Sequence, residues 1–269
     1  MSNDYIKFFG LSRSAFSKTI PADCIYRYPD LEELHCFLGN AVGDGAVAML
    51  TGPVGAGKST AVRAFLAGLD PGRFAVIYIG YTASDRGLFR EMALGLGLTP
   101  VYLKSDLVVQ LHTVIEHHWL NKQRQTLLVV DDAHLLADSL LVELRQLLNF
   151  QMDAATPLGM VLVGQPALRG RLKESIHEAL AQRTPVRYTL VGMSRPEATE
   201  YVNAHMAASG GDPAVFTEEA LDLAYQHAKG IPRALNNVLL FALIRAAWLE
   251  VQSVDKKITE DVIKAQTLG

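Results

Sequence analysis

The segment Gly52-Pro-Val-Gly-Ala-Gly57-Lys58-Ser59 constrains this chain more than any other stretch. It follows the apolar run AVAMLT (46–51) and precedes a segment whose apolar residues, Ala61, Val62, Phe65, Leu66 and Leu69, recur at helical spacing. A strand, a glycine-rich turn and a helix, in that order, make a phosphate-binding loop. The glycines let backbone N–H groups curl around an anion without Cβ clashes. The helix that starts near Lys58 points its positive end at the same place. In the pattern G-x-x-x-x-G-K-[ST], residues Gly52, Pro53, Val54, Gly55, Ala56, Gly57 and Thr60 surround the phosphates. Lys58 reaches the terminal ones, and the Ser59 hydroxyl ligates Mg²⁺.

Short apolar runs continue through the first two thirds of the chain: FAVIYIG (74–80), TLLVVD (126–131), GMVLVG (159–164) and Val186 to Leu190. Runs this short and this continuously apolar predict strands buried on both faces of a parallel sheet. Helical patterns lie between them at 58–69, 85–97, 106–121 and 138–150. The succession predicts an α/β class, an αβα core on a five-stranded parallel sheet. The run Leu127-Leu-Val-Val-Asp131-Asp132 delivers two acids at the carboxyl end of a buried strand, where open α/β sheets place ligands. There Asp131 holds Mg²⁺ through water, and Asp132 orients the attacking water.

After residue 191 the strand runs stop and helical patterns take over, at Pro196–Ser209, Thr217–Ala228, Pro232–Leu249 and Thr259–Thr267. Ser194 before Pro196 and Glu197, and Thr217 before Glu218 and Glu219, read as helix starts. The expected organisation is an N-terminal segment (1–45), a nucleotide-binding core (46–190) and a helical lid (191–269). Composition narrows the function classes. A net charge of −3 excludes a polybasic nucleic-acid coat, and two cysteines exclude a disulfide framework. The N-terminus lacks a signal pattern, and the apolar stretch Val238–Val251 is interrupted by Arg245 and Glu250. No membrane segment and a cytoplasmic location are expected.

With both acidic and glycine-rich motifs in view, the sequence resembles an AAA+ ATPase of the ExeA/GspA-like group. The resemblance also draws on Phe8-Phe9-Gly-Leu11, Ser14-Ala-Phe16, Tyr26 and Leu31 to Leu38, which look like that group's opening segment. It implies that this segment lies over the nucleotide base, with Tyr26 near the adenine. Val163-Gly164-Gln165-Pro166 resembles the sensor-1 stretch and puts Gln165 near the γ-phosphate. Leu180-Ala-Gln-Arg183 resembles the segment with the arginine finger, Arg187 being a nearby competitor. Gly230-Ile-Pro232-Arg233 resembles sensor 2, with Arg233 on phosphate. An arginine finger acts on the neighbouring subunit, so self-assembly into a ring or helical filament follows, with ATP and Mg²⁺ as cofactors. The second acid in such ATPases is usually Glu, and Asp132 is one methylene shorter, so slow hydrolysis is expected.

The chain ends at Gly269, directly after the lid, which resembles the short ATPases that accompany transposases (TniB, IstB, MuB and TnsC type). The expectation is therefore a regulator of transposition that assembles on duplex DNA with ATP, recruits a transposase and is released by hydrolysis. The alternative is an ExeA-like secretion or pilus assembly ATPase acting on protein partners. A third reading is a regulatory switch that binds ATP but barely hydrolyses it. Candidates for phosphate contacts on DNA are Thr82, Ser84 and Arg86 after the second strand and Lys104 and Ser105 before the next helix. His112, His117 and His118 read as ordinary helix residues. His134, just past the acids, is either a helix-start residue or a coupler of nucleotide state to a neighbouring subunit or DNA.

Overall fold

The computed structural model describes residues 4–17, 20–21, 24–80 and 84–267. In chain order the elements are α1 (Asp4–Phe8), α2 (Pro29–Gly43), β1 (Val47–Thr51), α3 (Lys58–Ala67), β2 (Phe74–Ile79), α4 (Asp85–Gly95), α5 (Lys104–Lys122), β3 (Gln125–Val130) and α6 (Asp138–Leu147). They continue with β4 (Leu158–Gly164), α7 (Ala167–Arg171), α8 (Glu178–Gln182), β5 (Val186–Thr189), α9 (Arg195–Ala208), α10 (Glu218–Ala228), α11 (Pro232–Trp248) and α12 (Lys256–Thr267). The chain divides into two compact units. One takes in Met1–Pro29, Val54–Gly57 and Val191–Gly269, the other Asp30–Pro53 and Lys58–Leu190. The opening 45 residues are thus shared between the units, with the break at Pro29.

The second unit is built on a five-stranded sheet of order β2-β3-β4-β1-β5. Every pairing is parallel, with Val47 opposite Met160, Thr126 opposite Leu158 and Ala48 opposite Val186. Parallel strands in one sheet end at the same edge, so the loops after β1, β3 and β4 emerge together. The three central strands are buried along their whole length, as continuous apolar runs require. Leu88, Phe89 and Met92 of α4, Leu107, Leu111 and Ile115 of α5, and Leu140, Leu141 and Leu144 of α6 join them in one core.

Two local expectations are corrected. Strand β2 is not buried on both faces: Val76 is 37% exposed and Tyr78 52%. It is an edge strand with only one face fully covered, and β5, at the other edge, is likewise not buried on both faces, Arg187 being exposed. Lys104 and Ser105 are not loop residues but the first turn of α5, and Arg86 lies in α4 rather than in the preceding loop.

In the first unit α10, α11 and α12 pack on one another, α9 packs on α10, and α1 on α11. Ser194 and Glu197 close a reciprocal capping box at the start of α9, with Pro196 inside it. Thr217 caps α10 through the Ala220 N–H at 3.2 Å. α12 starts earlier than the periodicity suggests, because Asp255 accepts from the Ile258 N–H at 2.8 Å. The N-terminal segment is tied to α9: the Ser12 N–H donates to the Ser209 carbonyl at 2.8 Å, and Phe16 packs edge-on to Phe216. Among the described residues no helix is long and apolar enough to cross a membrane.

Candidate functional site

The glycine-rich turn leaves β1 and enters α3 as the sequence predicts. Gly55 and Gly57 take φ of 85° and 91°, a region closed to most side chains. Within the first unit, the Arg233 N–H donates to the Gly55 carbonyl at 3.2 Å. A Cβ at Gly55 would stand 2.8 Å from the Arg233 Cβ. The absence of a side chain at position 55 thus lets the start of α11 approach the loop backbone. Arg233 is exposed, and Pro232 opens the helix as its first residue.

In the second unit, Lys58 Nζ donates to the carbonyls of Gly52 at 2.9 Å and Pro53 at 3.0 Å, which folds the ammonium back over the loop. The Ser59 hydroxyl donates to Asp131 Oδ2 at 2.6 Å. A hydroxyl and a carboxylate are the hard oxygen donors that Mg²⁺ selects, usually beside waters and phosphate oxygens. Within this unit the lysine and the oxygen pair fit a magnesium–phosphate group.

Sequence reasoning missed one residue here. Tyr78, at the exposed edge of β2, donates its hydroxyl to the same Asp131 Oδ2 at 3.0 Å. Burial, followed by the negative charge and hydrogen bond of Asp131, pushes the phenol up to about 12. The signal was available in principle. Tyr78 stands one residue before the end of a strand that pairs with β3, opposite Val129.

Asp132 sits in the left-handed region, with φ 49° and ψ 33°, and its side chain is 59% exposed. An aspartate tolerates this conformation better than most residues. Its N–H donates to Asp131 Oδ1 at 2.9 Å. Gln165 follows β4 and is half-buried at the same sheet edge. Arg183 is the C-terminal cap of α8, and its guanidinium donates to Asn149 Oδ1 at 2.8 Å. Arg187 is occupied differently. It donates to the Thr184 carbonyl at 3.1 Å and the Ala181 carbonyl at 2.5 Å, capping the end of the same short helix.

In the first unit Tyr26 donates to Glu200, stacks on Tyr28 with centroids 6.4 Å apart, and meets the buried Tyr201 edge-on. Burial, aided by Glu200, raises its phenol to about 12. The DNA candidates are engaged within the chain. Ser84 caps α4 through the Gly87 N–H, and the Arg86 guanidinium lies 4.6 Å over the Tyr102 ring. Lys104 pairs with Glu143 at 2.6 Å, and Ser105 donates to Asp106 at 3.2 Å. Thr82 lies outside the described residues.

Comparison with known proteins follows the same lines. Residues 43–172 match the AAA domain family. The General secretion pathway protein A of Aeromonas hydrophila is 32% identical over 246 residues, 90% of this chain and 45% of that protein. This chain therefore spans less than half the length of that relative. Among solved structures, Cdc6p from Pyrobaculum aerophilum superposes with a TM-score of 0.66 at 19% identity, over 90% of this chain and 67% of that one. The Aeropyrum pernix ORC1 protein in complex with DNA gives 0.67 at 15% identity, over 94% and 67%. At these identities the likeness to the solved structures is one of fold.

Proposed function

We propose that this chain is an AAA+ ATPase, a reading supported by the AAA domain match and the Aeromonas relative, and that it is an ATP-driven assembly switch acting on a protein partner, as an ExeA-like secretion or pilus assembly ATPase does. The observation that carries this reading is the likeness to the Aeromonas secretion protein, which runs through nearly the whole chain. The internal pairing of Lys104 and the stacking of Arg86 agree with it, because these cations already have intramolecular partners.

The residues divide the work as follows. The backbone from Gly52 to Gly57 and the Lys58 ammonium grip the phosphates. Ser59 and Asp131 hold the cation, and Tyr78 fixes the Asp131 carboxylate. Magnesium–ATP, when bound, supplies the anhydride bond whose cleavage to ADP and phosphate resets the switch. Asp132 orients the attacking water, but from an exposed and short side chain, so turnover is slow. Gln165 and Arg233 read the terminal phosphate, and Arg183 completes the site of the neighbouring subunit. ATP therefore favours the assembled form, and hydrolysis favours its dissociation.

Mass photometry of the purified chain with ADP, ATP and a slowly hydrolysed ATP analogue tests this. Large species are expected with ATP and the analogue, those with ATP decaying as it is consumed. A single-chain mass under every condition overturns the proposal.

A second reading is an ATP-dependent regulator of transposition that assembles on duplex DNA and recruits a transposase. It draws on the fold shared with the Aeropyrum ORC1 protein solved in complex with DNA. It predicts a gel shift of duplex DNA that requires the ATP analogue and weakens with salt. No shift with or without the analogue retires this second reading.

A further inference from the structure

Among the described residues, three histidines of the second unit have a buried ring nitrogen without a hydrogen-bond partner, His118 Nδ1, His134 Nδ1 and His177 Nδ1, and the last two belong to one network. Other side chains join them. His134 lies three residues past Asp131, and its Nδ1 stands 3.8 Å from Asp132 Oδ1, just beyond direct hydrogen-bond reach. Its backbone presses against the end of β4: a Cβ at Gly164 would lie 3.2 Å from the His134 nitrogen. The ends of β3 and β4, which carry Asp132 and Gln165, therefore share one contact at His134.

From there the connections lead away from the nucleotide site. The His134 carbonyl accepts from Arg171 Nη1 at 3.0 Å. The other terminal nitrogen of Arg171 donates to Asp138 Oδ1, at the first residue of α6. The same oxygen is bonded to His177 Nε2 at 2.9 Å. The Arg171 and His177 bonds hold the Asp138 carboxyl below the ordinary carboxylate range, so it is an anion at neutral pH. The His177 side chain is fully buried and immediately precedes α8, whose C-terminal cap is Arg183. Helix α6 packs on both the turn that holds His177 and α8. At its far end α6 leads to Asn149, which accepts from Arg183 itself.

We propose that His134, Arg171, Asp138 and His177 form a positioning relay that carries the state of the nucleotide site at Asp132 and Gln165 to Arg183. The proposal rests on the reading of Arg183 as the group presented to a neighbouring subunit. The rigid guanidinium fork of Arg171 bridges two acceptors, so a displacement of His134 must move Asp138 or break a charge-assisted bond. Helix α6 then reaches Arg183 at two points, through α8 and through Asn149. None of the four relay residues touches the reacting atoms in this scheme.

The test uses the full chain under assembling conditions, with Asp138→Asn, His177→Gln, Arg171→Lys, Arg183→Ala and the double variant Asp138→Asn/Arg183→Ala. Turnover, ATP affinity by fluorescent nucleotide titration and melting temperature are measured for each. Asp138 is half-exposed and its replacement nearly isosteric, so this variant keeps the core intact even where His177→Gln does not fold. Asp138→Asn should lower kcat about tenfold with ATP affinity within about twofold, and should add no further loss to Arg183→Ala. Arg171→Lys, which keeps the charge but lacks the fork, should behave like Asp138→Asn. Full turnover in Asp138→Asn, or losses that multiply with Arg183→Ala, overturns the relay alone. Full turnover in Arg183→Ala overturns the finger reading and the relay with it.

Discussion

The Tyr78 hydroxyl donates to Asp131 Oδ2 at 3.0 Å, on the same oxygen that receives the Ser59 hydroxyl at 2.6 Å. A carboxylate anchored from two sides keeps one rotamer, and outer-sphere donors of this kind tune metal binding. Tyr78→Phe should therefore raise the Mg²⁺ concentration at half-maximal hydrolysis by about tenfold, with turnover recovered at saturating Mg²⁺. A magnesium titration of steady-state hydrolysis decides it, and an unchanged midpoint removes Tyr78 from the site.

Lys58 and Arg183 should separate binding from chemistry. Lys58→Ala loses the cation that grips the terminal phosphates, so nucleotide binding and assembly should both disappear in fluorescence and mass measurements. Arg183→Ala should bind ATP normally and lose hydrolysis by at least about a hundredfold, because a trans arginine acts on charge that develops only during transfer. Equal loss of nucleotide affinity in both variants contradicts that division.

Asp132→Glu should increase turnover. The left-handed backbone at position 132 directs an exposed, short carboxylate, and one added methylene extends its reach toward an attacking water. A gain of about tenfold in kcat is expected, within the range of general-base contributions. A decrease shows that the water is held from elsewhere.

Acid should loosen the helical unit through His205. This residue is buried on α9, and its Nδ1–H donates to the Ala15 carbonyl at 3.0 Å. Burial lowers its pKa from the ordinary 6.5, a shift that the Ala15 bond partly offsets and Arg13 reinforces. The unfolded chain then takes up the proton first as pH falls, so stability is full above 6.5 and is lost as pH falls from there toward the lower folded value. Thermal scans between about pH 7.5 and about pH 5.5 should show a falling melting temperature, and His205→Gln should flatten the slope. His112 and His118 are also lowered by burial, which is why the difference between the two proteins is the informative quantity.

Much of the fold was legible because its signals are local. Leu128, Val129 and Val130 are buried on both faces of a central strand, which produces an unbroken apolar run. Ser194 and Thr217 announce α9 and α10 because a cap and its partner lie three residues apart. The phosphate loop is legible for the same reason, since glycines, lysine and serine are contiguous. The exposed face of β2 was not legible, because edge position depends on strand order and Val76 reads like any buried valine. The bonding of Arg183 and Arg187 was equally closed to sequence: Arg183 reaches Asn149, whereas Arg187 turns back to the carbonyls of Thr184 and Ala181.

The sequence by itself determined the chemistry available to this protein: a loop that curls around phosphates, two acids at a strand end, and helices that follow. Those features depend on residues within a few positions of one another, where backbone geometry leaves little choice. Only the tertiary structure decided which distant groups meet. Parallel pairing brings Ser59 and Tyr78 onto one oxygen of Asp131, and helix packing links His134 through Arg171 and Asp138 to His177. Such meetings are set by strand order and by how buried apolar faces pack, and no local spacing encodes either.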